Sequence, residues 1–423
     1  MSLPSKIREF FRVIGETASL LPALNYRMAA DDEKVSLGSI FEDTVSRFQD
    51  NTMLILENRQ WTDSEVNRFA WVLISNGITR GDAVALFMEN RAEYVLAMLA
   101  VVKLGASYLW FSDKGQADKP AWAIDARVEM AGVSSHNLKV TSEFTAGETA
   151  LYIFTSGMTG LPKAAAVLHR KILAAGYGIG RIGFRIKPED RRSLCLPIYH
   201  ITGMGELCRY LLMQPECSQE RNNPLEKMLG NCLRPDVWDE FKTWFGVSGI
   251  CEIYVSSEGN VSFLNLLNKD KTIGAAGSKV ALVSYDNEND EIMRDATGRR
   301  IEVPVGDSGL LLGEISEKYK FDGYTDTSAT EKKIVRDVLG RRTAGSILAT
   351  WCASSTWQMS TAWRFKALRM GEYGRFRARA RYRTRPGGIC PTGRCRATCL
   401  CPSGIFASPA AYGHHWNLQA AQG

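Results

Sequence analysis

Apolar residues recur at helical spacing over residues 37–48, where Ile40, Phe41, Val45 and Phe48 share one face, and this predicts a helix. Residues 53–57 read as a strand, and Thr62-Asp-Ser-Glu65 is a capping box that predicts a helix beginning at Thr62. Gly81 and Asp82 turn the chain into a strand over 83–87, followed by a helix over 91–104. The most apolar stretch, 94–102, is short and flanked by Arg91, Glu93 and Lys103, which marks a buried helix. No run of about 18 uncharged apolar residues occurs, so no membrane-spanning helix is expected. Tyr152, Ile153 and Phe154 end another buried strand, and residues 249–255 form one more. Over 277–315, short strands at 280–285 and 310–315 alternate with turns at Asp286-Asn287 and Thr297-Gly298. The alternation of strand and helix predicts an α/β fold of parallel sheets flanked by helices, with a small β-rich subdomain.

The chain has 423 residues and is 45% hydrophobic, enough for a large core and more than one domain. Residues 4–27 set Ile7, Phe10, Phe11 and Ile14 among Lys6, Arg8 and Arg12. That pattern fits a helix packed on its own domain more readily than one resting on a membrane surface. The segment lacks the apolar core and cleavage site of a secretory signal. The net charge of +6 conceals a division. Of 52 basic and 46 acidic residues, thirteen and one lie after Gly340, which leaves 39 and 45 before it. Five of the ten cysteines and four of the ten tryptophans also follow Gly340, so the composition breaks there.

The chemistry concentrates after Phe154. Thr155, Ser156, Gly157, Met158, Thr159 and Gly160 form a turn of small and hydroxylated residues, closed by Lys163. Small residues let backbone N–H groups approach a phosphate, hydroxyls add donors, and the lysine supplies charge. The spacing is not the G-x-x-x-x-G-K-[ST] P-loop. A Gly/Ser/Thr turn before a lysine is, by itself, usually an ordinary surface loop.

The whole run from Tyr152 through Ala165 resembles the signature loop of the adenylate-forming (AMP-binding) enzymes, departing at Met158, where that superfamily has Thr or Ser. The stretch from Leu196 to Gly203 is similar to their second core motif, and implies that His200 lies beside the acyl carboxylate. The stretch from Glu252 to Asn260 resembles the next one. It implies that Tyr254 stacks on adenine, Ser257 contacts the α-phosphate and Glu258 holds Mg²⁺, with Val255 replacing a Gly and crowding the adenine pocket. Residues 230–238 and 321–334 resemble the fatty acid transport protein / very-long-chain acyl-CoA synthetase group in particular. The resemblance implies a fatty acid–CoA ligase that uses ATP, Mg²⁺ and coenzyme A on a long-chain fatty acid. It also implies a cytoplasmic location, with peripheral contact at the inner face of a membrane. Lys163 and the loop would hold the β- and γ-phosphates, making Lys163, His200 and Glu258 the catalytic residues.

Against that pattern the chain jumps at two places, near 106 and near 204, each omitting enough for a βαβ unit, and the resemblance stops at Val338. The ribose-binding Asp, the hinge and the C-terminal lid domain with its lysine have no counterpart. One permitted set of codons for Gly345 to Cys352, read one nucleotide out of register, spells Trp-Ile-Asn-Thr-Gly-Asp-Leu-Val, which resembles the missing ribose motif. These features predict an incomplete adenylation domain over 1–339 and an aberrant, disordered basic tail over 340–423. The Arg-rich run from Arg375 to Arg385 also fits a nucleic-acid-binding tail. Cys390, Cys395, Cys399 and Cys401 with His414 and His415 lack paired C-x-x-C spacing for zinc. Out-of-frame sequence accounts for the tail better, and no nucleic acid is expected as a partner. The chain is expected to be impaired or inactive as a ligase.

Overall fold

The computed structural model describes isolated positions before residue 25, then residues 25–48, 52–56, 59–88, 91–111, 123–138, 143–155, 163–191, 204–215, 220–231, 233–286, 289, 291–304, 308–336, 344–359 and 363–369. Three sheets carry the architecture. Helix α1 (Leu37–Arg47), hairpin β1 (Leu54–Leu56) and β2 (Arg59–Trp61), and helix α2 (Asp63–Ser75) precede a βαβ unit of β3 (Ala83–Phe87), α3 (Ala92–Lys103) and β4 (Ser107–Phe111). After a short turn of helix, α4 (Ala126–Glu129), come β5 (Thr149–Thr155) and β6 (Lys163–Leu168). The first sheet has the order β3-β4-β5-β6, parallel except for the antiparallel β5/β6 pair. Helix α5 (His169–Ala175) leaves β6 and widens into a π-helical run over Gly176–Phe184.

Helix α6 (Met204–Leu212) leads to a second βαβ unit of β7 (Lys227–Gly230), α7 (Pro235–Phe245) and β8 (Gly249–Val255), which β9 (Ser262–Leu264) and β10 (Ala275–Ala276) extend antiparallel. The third sheet is wholly antiparallel. It contains β11 (Val280–Val283) and β14 (Ser308–Ile315), with the small hairpin β12 (Tyr285–Asp286) and β13 (Glu291–Ile292) between them. Helix α8 (Thr327–Lys332), β15 (Ile334–Arg336), β16 (Ala344–Met359) and β17 (Trp363–Arg369) complete it.

Local chemistry explains the elements. Glu65 reaches back to the Thr62 N–H at 3.0 Å, the expected cap of α2. Pro235 opens α7, and Gly246, at φ 65°, closes it in the left-handed conformation. Val66, Phe69 and Ala70 of α2 pack on Leu96, Ala97 and Ala100 of α3 over the first sheet. Gly38 lets α1 approach α3, because a Cβ there would lie 2.8 Å from the Val102 carbonyl oxygen. Lys103, only 1% exposed, ties the three helices together. It is paired with Glu42 and donates to Asn67 Oδ1 at 2.6 Å and Asn137 Oδ1 at 2.5 Å. Trp238 and Phe241 of α7 form the second core with Met228 and Ile250.

Two expectations change. Residues 344–359 and 363–369 are strands, not disordered chain, and β16 pairs with β14 from Ser308 to Ile315 and with β15. Ladder hydrogen bonds come from the backbone, so the edge of β14 accepts a segment of unrelated side chains. Ser346 is buried there and its hydroxyl donates to Asn260 Oδ1 at 2.6 Å. At the N-terminus, the described apolar residues Ile7, Phe11, Ile14 and Leu21 are 50%, 66%, 48% and 59% exposed, which is less burial than a helix packed on its own domain would give. The run from Arg375 to Arg385 and the Cys/His group lie outside the described residues, whereas the chain near 106, where a jump was expected, runs through a continuous βαβ unit.

His169 begins α5 fully buried, and its Nδ1 accepts from the Leu37 N–H at 3.1 Å, fastening the start of α1. Nε2 is buried with no hydrogen-bond partner among the described residues, and burial pushes the imidazole pKa down to about 4 from 6.5. Between those values the unfolded chain binds the proton and the folded chain does not. The His169 contribution is therefore complete above pH 6.5 and lost as pH falls toward about 4. Chemical denaturation at pH 7 and pH 4.5 is expected to show a loss on the order of 3 kcal/mol from this group. His169→Asn, which keeps an acceptor for Leu37, should remove most of that slope; an unchanged slope would contradict the assignment.

Candidate functional site

Strands β5 and β6 are in register with Thr155 opposite Lys163, so the two ends of the small-residue turn form one cross-strand pair. Ser156, Gly157, Met158, Thr159 and Gly160 lie outside the described residues, as does His200. Lys163 is half-buried, and its ammonium sits 5.9 Å above the Tyr324 ring.

A second group gathers where β8 leaves its sheet, at the carboxyl end of the parallel β7/β8 pair, where open α/β sheets hold ligands. Tyr254 is half-buried and meets Phe263 edge-on, with centroids 6.0 Å apart at 62°. Val255, next along the strand, is 49% exposed. The Gly259 N–H bonds the Ser256 carbonyl at 3.2 Å and turns the chain through Ser257 and Glu258. Glu258 is 8% exposed, and its nearest ionic partner is Lys333 Nζ at 3.7 Å.

Residues 321–333 join the two groups. Tyr324 bridges antiparallel to Ala165 on β6, and the Thr325 N–H donates to the Ala164 carbonyl at 2.9 Å. Asp322 accepts from the buried Arg170 and pairs with Lys171 Nζ at 3.1 Å. Lys171 also donates to the Gly259 carbonyl at 3.0 Å, beside Glu258. Asp31 takes the other side of Arg170 at 2.7 Å, and Lys320 with Arg170 holds its carboxyl below the usual range. Burial lowers the Lys171 ammonium pKa, against the opposing pull of Asp322. One short segment thus contacts the base of the small-residue turn and the acidic turn after β8.

Lys163, Tyr254, Ser257 and Glu258 fall on these two joined turns. Lys171, Asp322, Tyr324 and Lys333 were not singled out from sequence. Asp322, Tyr324 and Lys333 lie in the family-like stretch 321–334, and Lys171 ends the cluster His169-Arg170-Lys171 immediately after β6. Among the described residues no three His, Cys, Asp or Glu side chains come together to hold a metal. Mg²⁺ commonly uses one or two carboxylates plus phosphate oxygens and water, however. A nearly buried carboxylate that accepts no hydrogen bond from the described residues fits that role.

This is the architecture of an adenylating N-terminal domain. ATP-bound MatB from Rhodopseudomonas palustris superposes with a TM-score of 0.58 at 17% identity, over 80% of this chain and 79% of that one. The Klebsiella oxytoca NpsA N-terminal subdomain superposes with a TM-score of 0.53 at 17% identity, over 80% of this chain and all of that one. The chain belongs to the AMP-binding enzyme family, whose profile matches residues 41–134 and 111–214, and within it to the AMP-forming acyl-CoA ligases. It is 33% identical to the medium/long-chain-fatty-acid–CoA ligase FadD6 of Mycobacterium tuberculosis, over 77% of this chain and 68% of that protein. It is 28% identical to human long-chain fatty acid transport protein 1 and 31% identical to rat long-chain fatty acid transport protein 2, over 66% and 69% of this chain. The chain spans 59% and 61% of those two relatives' lengths.

Asp322 is the shared acceptor of two partly or fully buried cations, so removing its charge strands both. Asp322→Asn is expected to lower stability by about 3 kcal/mol in urea denaturation. A loss below about 0.5 kcal/mol, the value of a surface pair, would contradict the joining role.

Proposed function

We propose that this chain binds ATP and adenylates a long-chain fatty acid, and that its second half-reaction, thioester formation with coenzyme A, is crippled. The observation that carries the reading is the connection of Lys163 to Glu258 through residues 322–333. In the reaction a carboxylate oxygen attacks the α-phosphorus of ATP, the α–β bridging bond breaks, and pyrophosphate leaves. Attacker and target are both anions, so the protein must neutralise charge and align the reactants. Lys163 at the closure of the turn and Lys171 beside Gly259 supply positive charge there. Tyr254 offers a half-buried aromatic face for a base, and Ser257 a hydroxyl. Glu258 would hold Mg²⁺, which when bound supplies charge neutralisation at the phosphates.

Thioester formation then requires the coenzyme A thiolate to attack the acyl carbon and expel AMP. The sequence resemblance implies that such an enzyme carries a hinge and a lysine-bearing lid after the position of Val338, where this chain departs from the family pattern. The exposed stripe of Ile7, Phe11, Ile14 and Leu21 at helical spacing, with Lys6, Arg8 and Arg12, supports peripheral contact with a membrane. Among the described residues no helix is long and apolar enough to cross one.

ATP–pyrophosphate exchange dependent on a long-chain fatty acid tests the first step. Exchange is expected to be measurable, to fall about 100-fold in Lys163→Met, and to proceed with little acyl-CoA formed when coenzyme A is added. Normal acyl-CoA production would refute the impairment, and no exchange at all would refute the adenylation. Sedimentation with anionic vesicles should retain the chain, and Phe11→Ser with Ile14→Ser should release it; equal sedimentation would contradict membrane contact through this stripe.

A further inference from the structure

We propose that Lys333 is an internal counter-ion that occupies the cation position at Glu258 and must be displaced before a divalent ion can bind there. The inference rests on the functional reading above, which makes Glu258 the metal-binding carboxylate. Glu258 is 8% exposed and accepts no hydrogen bond from any described residue. A buried carboxylate with neither hydrogen bonds nor a counter-charge is strongly disfavoured, so some cation has to accompany it when no metal is bound. Lys333 is that cation. Its ammonium lies 3.7 Å from Glu258 Oε1, close enough to neutralise the charge but longer than a charge-assisted hydrogen bond. Its side chain is 32% exposed, which leaves it a path toward water.

The neighbouring cations cannot play this part. Lys171 is near enough for the Glu258 charge to act on its ammonium, but it is committed twice, to the Gly259 carbonyl at 3.0 Å and to Asp322 at 3.1 Å. Lys163 stands over Tyr324 at the opposite end of the joining segment. Lys333 makes no hydrogen bond through its ammonium to any described residue, so releasing it breaks only the long ion pair. Its backbone is nevertheless fixed, with the N–H bonded to the Thr330 carbonyl at 3.0 Å and β15 beginning at the next residue. The position is therefore built in, while the side chain is free to leave. A divalent ion approaching Glu258 meets the repulsion of this ammonium. A metal arriving with phosphate oxygens brings anions to which the displaced Lys333 can turn. Lys333 on this account makes the site discriminate against the free metal in favour of the metal–nucleotide complex.

Mn²⁺ titration of the full chain, read by loss of the free-ion EPR signal, tests this. Lys333→Met should tighten Mn²⁺ binding about tenfold, as expected for removing a like charge from a partly buried site, while Lys333→Arg should stay near the parent value. Glu258→Gln should abolish the gain. A gain that persists in Glu258→Gln, or equal affinities for the parent and Lys333→Met, would overturn the proposal while leaving nucleotide binding intact. Absence of Mn²⁺ and ATP binding in every form would overturn the proposal and the functional reading together. A second readout needs no variant: acetylation of Lys333 by acetic anhydride, followed by mass spectrometry, should accelerate when Mn²⁺ is added. An unchanged rate would count against displacement even if Lys333→Met failed to fold.

Discussion

The site depends on Asp322. Its carboxylate is the common acceptor for Arg170 and Lys171, two cations at the start of the helix that follows β6. Arg170 is 4% exposed, so its charge is tolerable only with partners on both sides, and Asp31 completes the pair. With Asp322 in place, the backbone on either side is set. Tyr324 and Thr325 pair with β6, and Lys333 arrives beside Glu258. Without that anchor, the link between the small-residue turn and the acidic turn, which belong to two separate sheets, would lose the charge pairing at its centre.

The same logic explains why the site sits where two architectures meet. The first sheet supplies a turn whose ends are one cross-strand pair, Thr155 and Lys163. The second supplies the carboxyl end of a parallel pair, where strands diverge and leave room for a ligand. Neither feature handles a nucleotide triphosphate alone, because opposed anions must be neutralised and aligned at once. The charged layer contributed by Arg170, Lys171 and Asp322 makes them one site. His169 adds a mechanical tie by fastening α1 to the same helix start.

Much of the local structure was legible in the sequence. Residues 83–87 and 249–255 are strands over the expected bounds, because short apolar runs between turn residues leave few alternatives. The α2 start was legible from Thr62 and Glu65 for the same local reason. Lys163, Tyr254, Ser257 and Glu258 were found as members of motifs. Asp322 and Lys333 lay within the family-like stretch 321–334 but carried no assigned role, since their partners are about 150 and 75 residues away and such pairing leaves no periodic trace. The break at Gly340 was visible in charge and cysteine content, yet β16 still pairs with β14, because an open strand edge reads backbone rather than composition.

The central claim is that the turn at Lys163, the turn at Glu258 and residues 321–333 respond to nucleotide as one unit. Amide hydrogen exchange with and without Mg²⁺–ATP measures this most directly. Residues 163–168, 254–259 and 321–333 are expected to gain protection together. Protection confined to one of the three, or to none, would contradict the account.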